Sequence, residues 1–194
     1  MAKLELKLKY QNEDFGKPSE DGSYGILKDV KTYELLVDGV PVINISVGYE
    51  RFSSSAPNYA CAHITYDNYY YLDKNSKYLN KGYATIALEE ITESLLKEQK
   101  VPKLLLNINK NNPASLRVAE KVGYKYMRNN EYSIFLPNAI KLIEDGLASL
   151  KEIDMEIYDM QMYSWLSSYR TYIEQCLPKI KAKLSRGECL WKLN

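Results

Sequence analysis

Two groups of residues in this chain have types and spacing that suit chemistry. The first is the run Leu79, Asn80, Lys81, Gly82, Tyr83, Ala84 and Thr85. From Ala84 onward apolar residues recur at Ala84, Ala87, Leu88, Ile91 and Leu95, the spacing of one helix face. Glu89, Glu90, Glu93, Lys97 and Glu98 fill the other face. A helix start leaves backbone N–H groups without partners and carries partial positive charge. Gly82 lets a ligand approach that backbone closely and Ala84 adds almost no bulk, which suits an anion, above all a phosphate. Lys77, Lys81, Arg117 and Lys121 stand near predicted helices and are candidates to neutralise such a group. The second group is His63, Asp67 and Glu50, titratable residues on or beside predicted strands that can move a proton.

The bulk numbers narrow the classes. The chain of 194 residues holds 26 Lys and Arg against 25 Asp and Glu, a net charge of +1, which argues against nucleic acid as the main partner. No apolar run approaches the ~18–20 residues of a bilayer span, so no membrane partner is expected. The opening MAKLELKLKY alternates charge with leucine and lacks the apolar region of a signal peptide. Cys61, Cys176 and Cys189 have no paired or metal-like spacing, which fits reduced thiols and a cytoplasmic location. A nucleotide P-loop and a dinucleotide-binding glycine fingerprint are both missing. No His/Cys/carboxylate cluster stands at ligand spacing along the chain, and His63 is the single histidine, so no metal is expected.

The elements that must position these residues are legible. Leu4, Leu6, Leu8 and Tyr10 alternate with charged residues over 3–10, a half-exposed strand. A polar stretch to about residue 30 shows no helical pattern. TYELLVDGVPVINISVGYE reads as two strands joined at Asp38-Gly39, a hairpin signal. YACAHITYD is another strand, NYYYLDKNSK a loop, and 84–99 the helix that follows the Gly82 turn. KLLLNINK is an apolar, buried strand. NPASLRVAEKVGY is a short helix with Asn112 as N-cap, Pro113 in its first turn and Gly123 closing it. YKYMRNNEYSIFL then reads as two strands about Asn129-Asn130. From Pro137 the pattern turns helical, with Tyr158, Met162, Trp165, Tyr169, Tyr172 and Cys176 at steps of four and three, and Pro178 ends or kinks that helix. Residues 1–136 are thus read as a mixed α/β domain and 137–194 as a helical extension.

Taken together, LNKGYA and NPASLRVAEKVGY resemble the GNAT superfamily of acetyl-CoA-dependent N-acetyltransferases. The first looks like the family turn Gln/Arg-x-x-Gly-x-Gly/Ala, with Gly82 and Ala84 at the small positions. The second is similar to the N-x-x-S-x-R-V-x-E-K-x-G-[FY] segment of the branch that includes ribosomal-protein N-terminal acetyltransferases. The resemblance covers roughly residues 33 to 136. It implies an α/β fold with a mostly antiparallel sheet flanked by helices. It further implies acetyl-CoA as cosubstrate, its diphosphate held by backbone amides across residues 79–85, and Asn112, Ser115 and Arg117 on the coenzyme side. The implied activity is transfer of acetyl to a primary amine, such as a peptide N-terminus, a lysine or a small-molecule amine, by direct attack in a ternary complex. Leu79 replaces the family's Gln or Arg and removes one side-chain contact to the diphosphate. Ala119 stands where many relatives carry a tyrosine acid.

Such a reaction needs the amine deprotonated and the departing thiolate protonated or stabilised. Base candidates are His63, Asp67 and Glu50; acid candidates are Tyr124, Tyr126 and Tyr132, of which Tyr124 occupies the usual aromatic core position. His63 also reads as a hydrogen-bonded core residue. The 18 tyrosines suit half-exposed strands and interfaces. Those of the C-terminal seam read as packing onto the domain or onto a second copy, a homodimer through the C-terminal helices. The acidic residues Glu144, Asp145, Glu152, Asp154, Glu156 and Asp159 read as a solvated helix face or an attraction for a cationic amine. Basic residues of the tail complement a helix dipole. Two alternatives follow from the same residues: a catalytically silent coenzyme A-binding module, and an interaction protein acting through its helical tail.

Overall fold

The computed structural model describes residues 2–12, 27–51, 59–128 and 130–151, with Pro178, Ala182, Ser185 and Arg186. The leucine alternation gives strand β1 (Leu4–Asn12), antiparallel to β2 (Leu27–Val37). Between β2 and β3 (Val40–Arg51) the chain reverses at Asp38 and Gly39, with φ of 51° and 81°. Positive φ at both central residues is what a two-residue hairpin of this twist requires, and Asp-Gly tolerates it. β4 (Tyr59–Asn68) runs antiparallel to β3. Helix α1 (Tyr83–Glu98) then crosses over to β5 (Lys103–Asn107), which lies parallel to β4. Helix α2 (Pro113–Val122) leads into β6 (Lys125–Arg128) and β7 (Glu131–Phe135). β7 inserts between β5 and β6, giving the order β1-β2-β3-β4-β5-β7-β6. Helix α3 (Ala139–Lys151) packs against β4.

The expected α/β class is therefore observed: a mixed, mostly antiparallel sheet with helices on it. Pro178, where a helix end or kink is expected, itself lies in helix, as do Ala182 and Ser185. The seam residues Tyr158, Met162, Trp165, Tyr169, Tyr172 and Cys176 lie outside the described residues. Among the described residues no helix is long and apolar enough to cross a membrane.

The core lies under α1 and α2, which cover one sheet face. Leu88, Ile91 and Leu95 of α1 meet Ala119 and Val122 of α2 over Ile45, Val47, Ala62, Ile64, Leu104, Leu106 and Ile134. Successive strand residues point to opposite faces, so Cys61 and His63, between these core positions, face the other side. Tyr124 is fully buried and its hydroxyl bonds Thr92 Oγ1 at 3.0 Å. Burial pushes the Tyr124 phenol well up, so it stays neutral in this setting. Tyr124→Phe leaves the Thr92 hydroxyl buried without that partner, and a loss of about 1–3 kcal/mol in chemical denaturation is expected. Unchanged stability would mean the pair contributes nothing to the α1–α2 core.

β4 and β5 pair only at Ala62 with Leu104 and His63 with Leu105. Beyond those rungs Ile64–Asn68 find no partner on β5, and the sheet parts between its two central strands.

Candidate functional site

The Gly82 turn opens α1, whose first residues share a packed cluster with Tyr66 of β4. Gly82 is the N-cap of α1, with φ 81° and ψ 2°, and supplies no side-chain cap; Asn80 is also left-handed at φ 54°. The first turn of α1 carries no acidic residue, so no carboxylate there offsets the positive end of the helix. Tyr83 and Ala84 pack into the cluster of Leu35, Val37, Val42, Ile43 and Ala87. Their side chains thus turn inward. A Cβ built on Gly82 meets nothing within 4 Å, so the space outside the glycine is open. Leu79 and Thr85 are half-buried, while Asn80, Lys81 and Gly82 are exposed. Lys77 is drawn over the Tyr78 ring, 5.1 Å from its centre.

The start of α2 is the second helix start. Asn112 Oδ1 accepts the Ser115 backbone N–H at 3.1 Å, the cap expected from its sequence position, and Pro113 opens the helix. Capping uses only Oδ1, leaving the carboxamide NH2 of this exposed residue as a donor. Arg117 is exposed and Ser115 half-buried. Asn112→Ala should cost about 1 kcal/mol of stability through the lost cap. A thermal shift indistinguishable from wild type would show that the cap is not needed.

Between the two helix starts lies a residue that sequence reasoning passed over. The Tyr66 hydroxyl, on the part of β4 that pairs with β3 but not with β5, donates to the Ser115 carbonyl across the parting at 3.3 Å. Burial raises its pKa, against the opposing effect of the Ser115 bond, so the phenol keeps its proton. The signal was present: alternation along β4 puts Tyr66 on the same face as Ala62 and Ile64, toward the helices.

On the opposite face the ladder brings Glu50 and His63 together. Glu50 is directly across from Cys61 in the β3–β4 register, and His63 is the next residue on that face of β4. Glu50 Oε2 lies 2.5 Å from His63 Nε2 and 3.3 Å from Cys61 Sγ, which donates to it. Burial works against the Glu50 carboxylate, yet the hydrogen bond and charge of His63, helped by Cys61 and Lys103, leave its pKa lowered. Cys61 is wholly buried and its thiol pKa is pushed up, by burial first and then by Glu50. His63 is neither a closed core residue nor free, since its side chain is 31% exposed and Glu50's 13%. An irregularity in the ladder between Glu50 and Arg51 sits beside the pair, as bulges often do at sites that re-aim a side chain.

The remaining candidates are not gathered here. Asp67 shares His63's face but lies four residues along β4, about 13 Å away, and is exposed. Tyr126 is on edge strand β6, three strands or about 14 Å from β4, its ring 5.5 Å from that of Tyr132. Its hydroxyl is not brought to the Glu50–His63 pair. Tyr124 spends its hydroxyl on Thr92.

The class defined by these features is an α/β fold whose sheet parts beside a glycine-opened helix start. Residues 46–125, from the middle of β3 to the first residue of β6, match the family model described as the acetyltransferase (GNAT) domain. The match spans 80 of the 194 residues and is a likeness over that segment. Solved structures with partial likeness include a ribosomal L7/L12 alpha-N-protein acetyltransferase, RimL, in complex with coenzyme A. It is 14% identical at TM-score 0.43, over 57% of this chain and 63% of that one. An aminoglycoside acetyltransferase, AAC(6')-Ib, with coenzyme A and kanamycin is 16% identical at TM-score 0.43, over 55% and 66%. A GNAT-family acetyltransferase from Bacillus anthracis is 21% identical at TM-score 0.41, over 54% and 65%. The chain therefore spans less than two thirds of the length of each. Among curated protein sequences, none matches it.

Proposed function

We propose that this protein is an N-acetyltransferase that moves the acetyl group of acetyl-CoA to a primary amine by direct attack in a ternary complex. The observation that carries this reading is the uncapped, glycine-opened start of α1 beside the parted strands β4 and β5, within the segment that matches the family. Backbone N–H groups of residues 80–85 grip the diphosphate, with Gly82 and Ala84 giving it access and Lys81 and Arg117 adding charge. Leu79 adds only apolar contact. Asn112 and Ser115 face the pantetheine arm.

Acetyl-CoA supplies an activated thioester; the chain supplies proton handling and position. An alkylamine with a pKa of ~10 is mostly ammonium near neutrality and must lose a proton before it attacks. His63 donates Nε2–H to Glu50, which leaves Nδ1 as the basic nitrogen that accepts it directly or through one water. Tyr66, held protonated on the other face of the same parting, donates to the departing thiolate. Base and acid thus lie on opposite faces of β4, three residues apart, with His63 at the last paired rung and Tyr66 beside the gap. Holding amine and thioester together in that gap supplies much of the rate.

A peptide N-terminal amine is the favoured acceptor, supported by the NPASLRVAEKVGY segment. Residues 1–136 form the catalytic unit and 137–194 a packing or dimerisation element, in a cytoplasmic protein with reduced cysteines. A silent coenzyme A-binding module is the second reading, favoured by the Tyr66–Ser115 bond across the gap and by Leu79 and Ala119.

The test is release of free thiol from acetyl-CoA across a panel of peptide, lysine and small-molecule amines. Amine-dependent release is expected, and Tyr66→Phe should lower kcat about 100-fold. Release no faster than without amine, for every acceptor, would establish the silent reading.

A further inference from the structure

We propose that Glu50, Cys61 and His63 form a binding site for Zn2+, and that the metal, once bound, displaces the proton-transfer pair and inhibits the protein. The three donor atoms, one carboxylate oxygen, one sulfur and one imidazole nitrogen, all lie within 4.8 Å of one another. In a tetrahedral zinc site with bonds of about 2.0–2.3 Å, donors stand roughly 3.3–3.7 Å apart. Cys61 Sγ and Glu50 Oε2 already have such a separation at 3.3 Å. The Glu50–His63 contact has to open by about 1 Å, and Cys61 and His63, within 4.8 Å of each other, have to close to a similar separation as the ion enters between the three.

The donor set selects the metal. A thiolate, an imidazole and one carboxylate suit a borderline-soft ion such as Zn2+, not the oxygen-seeking Mg2+ or Ca2+. Three protein ligands leave the fourth position to water or to an incoming group. That position opens on the side of His63, the most exposed of the three. The scaffold is stiff, because all three ligands stand on adjacent paired strands instead of a loop. Charge also closes: thiolate and carboxylate together neutralise the dication, and the Lys103 ammonium, whose field reaches both, favours their anionic forms. On binding, the Cys61 sulfur–proton bond breaks, the sulfur–metal bond forms, and the proton leaves to solvent.

Metal binding stands without the acetyl-transfer reading; the inhibition rests on it. Acetyl transfer needs no metal, so the site is regulatory.

The experiment titrates the metal-stripped full chain with Co2+ as an optical stand-in, in a Cys176→Ser/Cys189→Ser background that leaves Cys61 as the sole thiol. A sulfur-to-cobalt charge-transfer band saturating at one equivalent, and its removal by Zn2+, are expected. His63→Gln, at a half-exposed position that tolerates change, should weaken Zn2+ binding on the order of 100-fold. Glu50→Gln should weaken it similarly, and Cys61→Ala should abolish the sulfur band. A wild-type spectrum without that band, or one whose affinity is unchanged by His63→Gln and Glu50→Gln, overturns the proposal. If cobalt fails to bind while thiol release proceeds, the metal site falls and the enzyme stands. If cobalt binds without any thiol release, the reverse holds.

Discussion

Gly82→Trp is expected to abolish coenzyme A binding measured by calorimetry, with the circular dichroism spectrum of the wild type retained. Two effects act in the same direction. Gly82 sits at φ 81°, where an L-residue pays about 1–2 kcal/mol for its Cβ. The space beyond it is open, so the indole enters the region the diphosphate would occupy. Gly82→Ala separates the two, because it carries the backbone strain and almost none of the bulk. A fall of more than 100-fold in affinity for tryptophan and roughly tenfold for alanine is the expected pattern, tenfold being about 1.4 kcal/mol. Equal binding by wild type and Gly82→Trp would remove the turn from the site. The fold survives because Gly82 is exposed and the inward packing of α1 is made by Ala87, Leu88 and Ile91.

The second large effect belongs to the pair on the far face. His63→Ala is expected to lower kcat by 10²–10³-fold, within the range of about 10²–10⁴ for a positioned base, while affinity for coenzyme A stays at the wild-type value. Glu50→Gln should give a smaller loss, because the amide can still bond His63 but no longer stabilises its cationic form. Glu50 thus acts as a positioning residue, and rescue by Glu50→Asp distinguishes this from a structural role. Raising the assay pH should recover much of the His63→Ala activity, since more of the amine is then already deprotonated. A kcat unchanged in His63→Ala would leave the reaction to positioning alone and move attention to Tyr66.

These expectations draw unequally on sequence and structure. Asp38-Gly39, Asn112, Pro113 and Gly123 act within a few residues of themselves, through φ preference and local hydrogen bonds. Their turns and caps were therefore legible, and α2 has the expected bounds. The same locality made Gly82 readable as a helix start open to an anion. His63, Glu50 and Asp67 were equally visible as titratable groups, but as equals, and nothing along the chain ranks them. Tyr126 likewise looked available until the sheet order put β7 and β5 between it and β4.

Sequence by itself determined the element order, the glycine-opened start of α1 and the capped start of α2, because each is set by short-range periodicity and backbone preference. Only the tertiary structure decided which polar groups meet. The β3–β4 register set Glu50 against Cys61 and beside His63, and the confined β4–β5 pairing opened the gap that Tyr66 spans. Such pairings depend on ladder register between distant segments, and a shift of one residue would have turned each of these side chains to the other face.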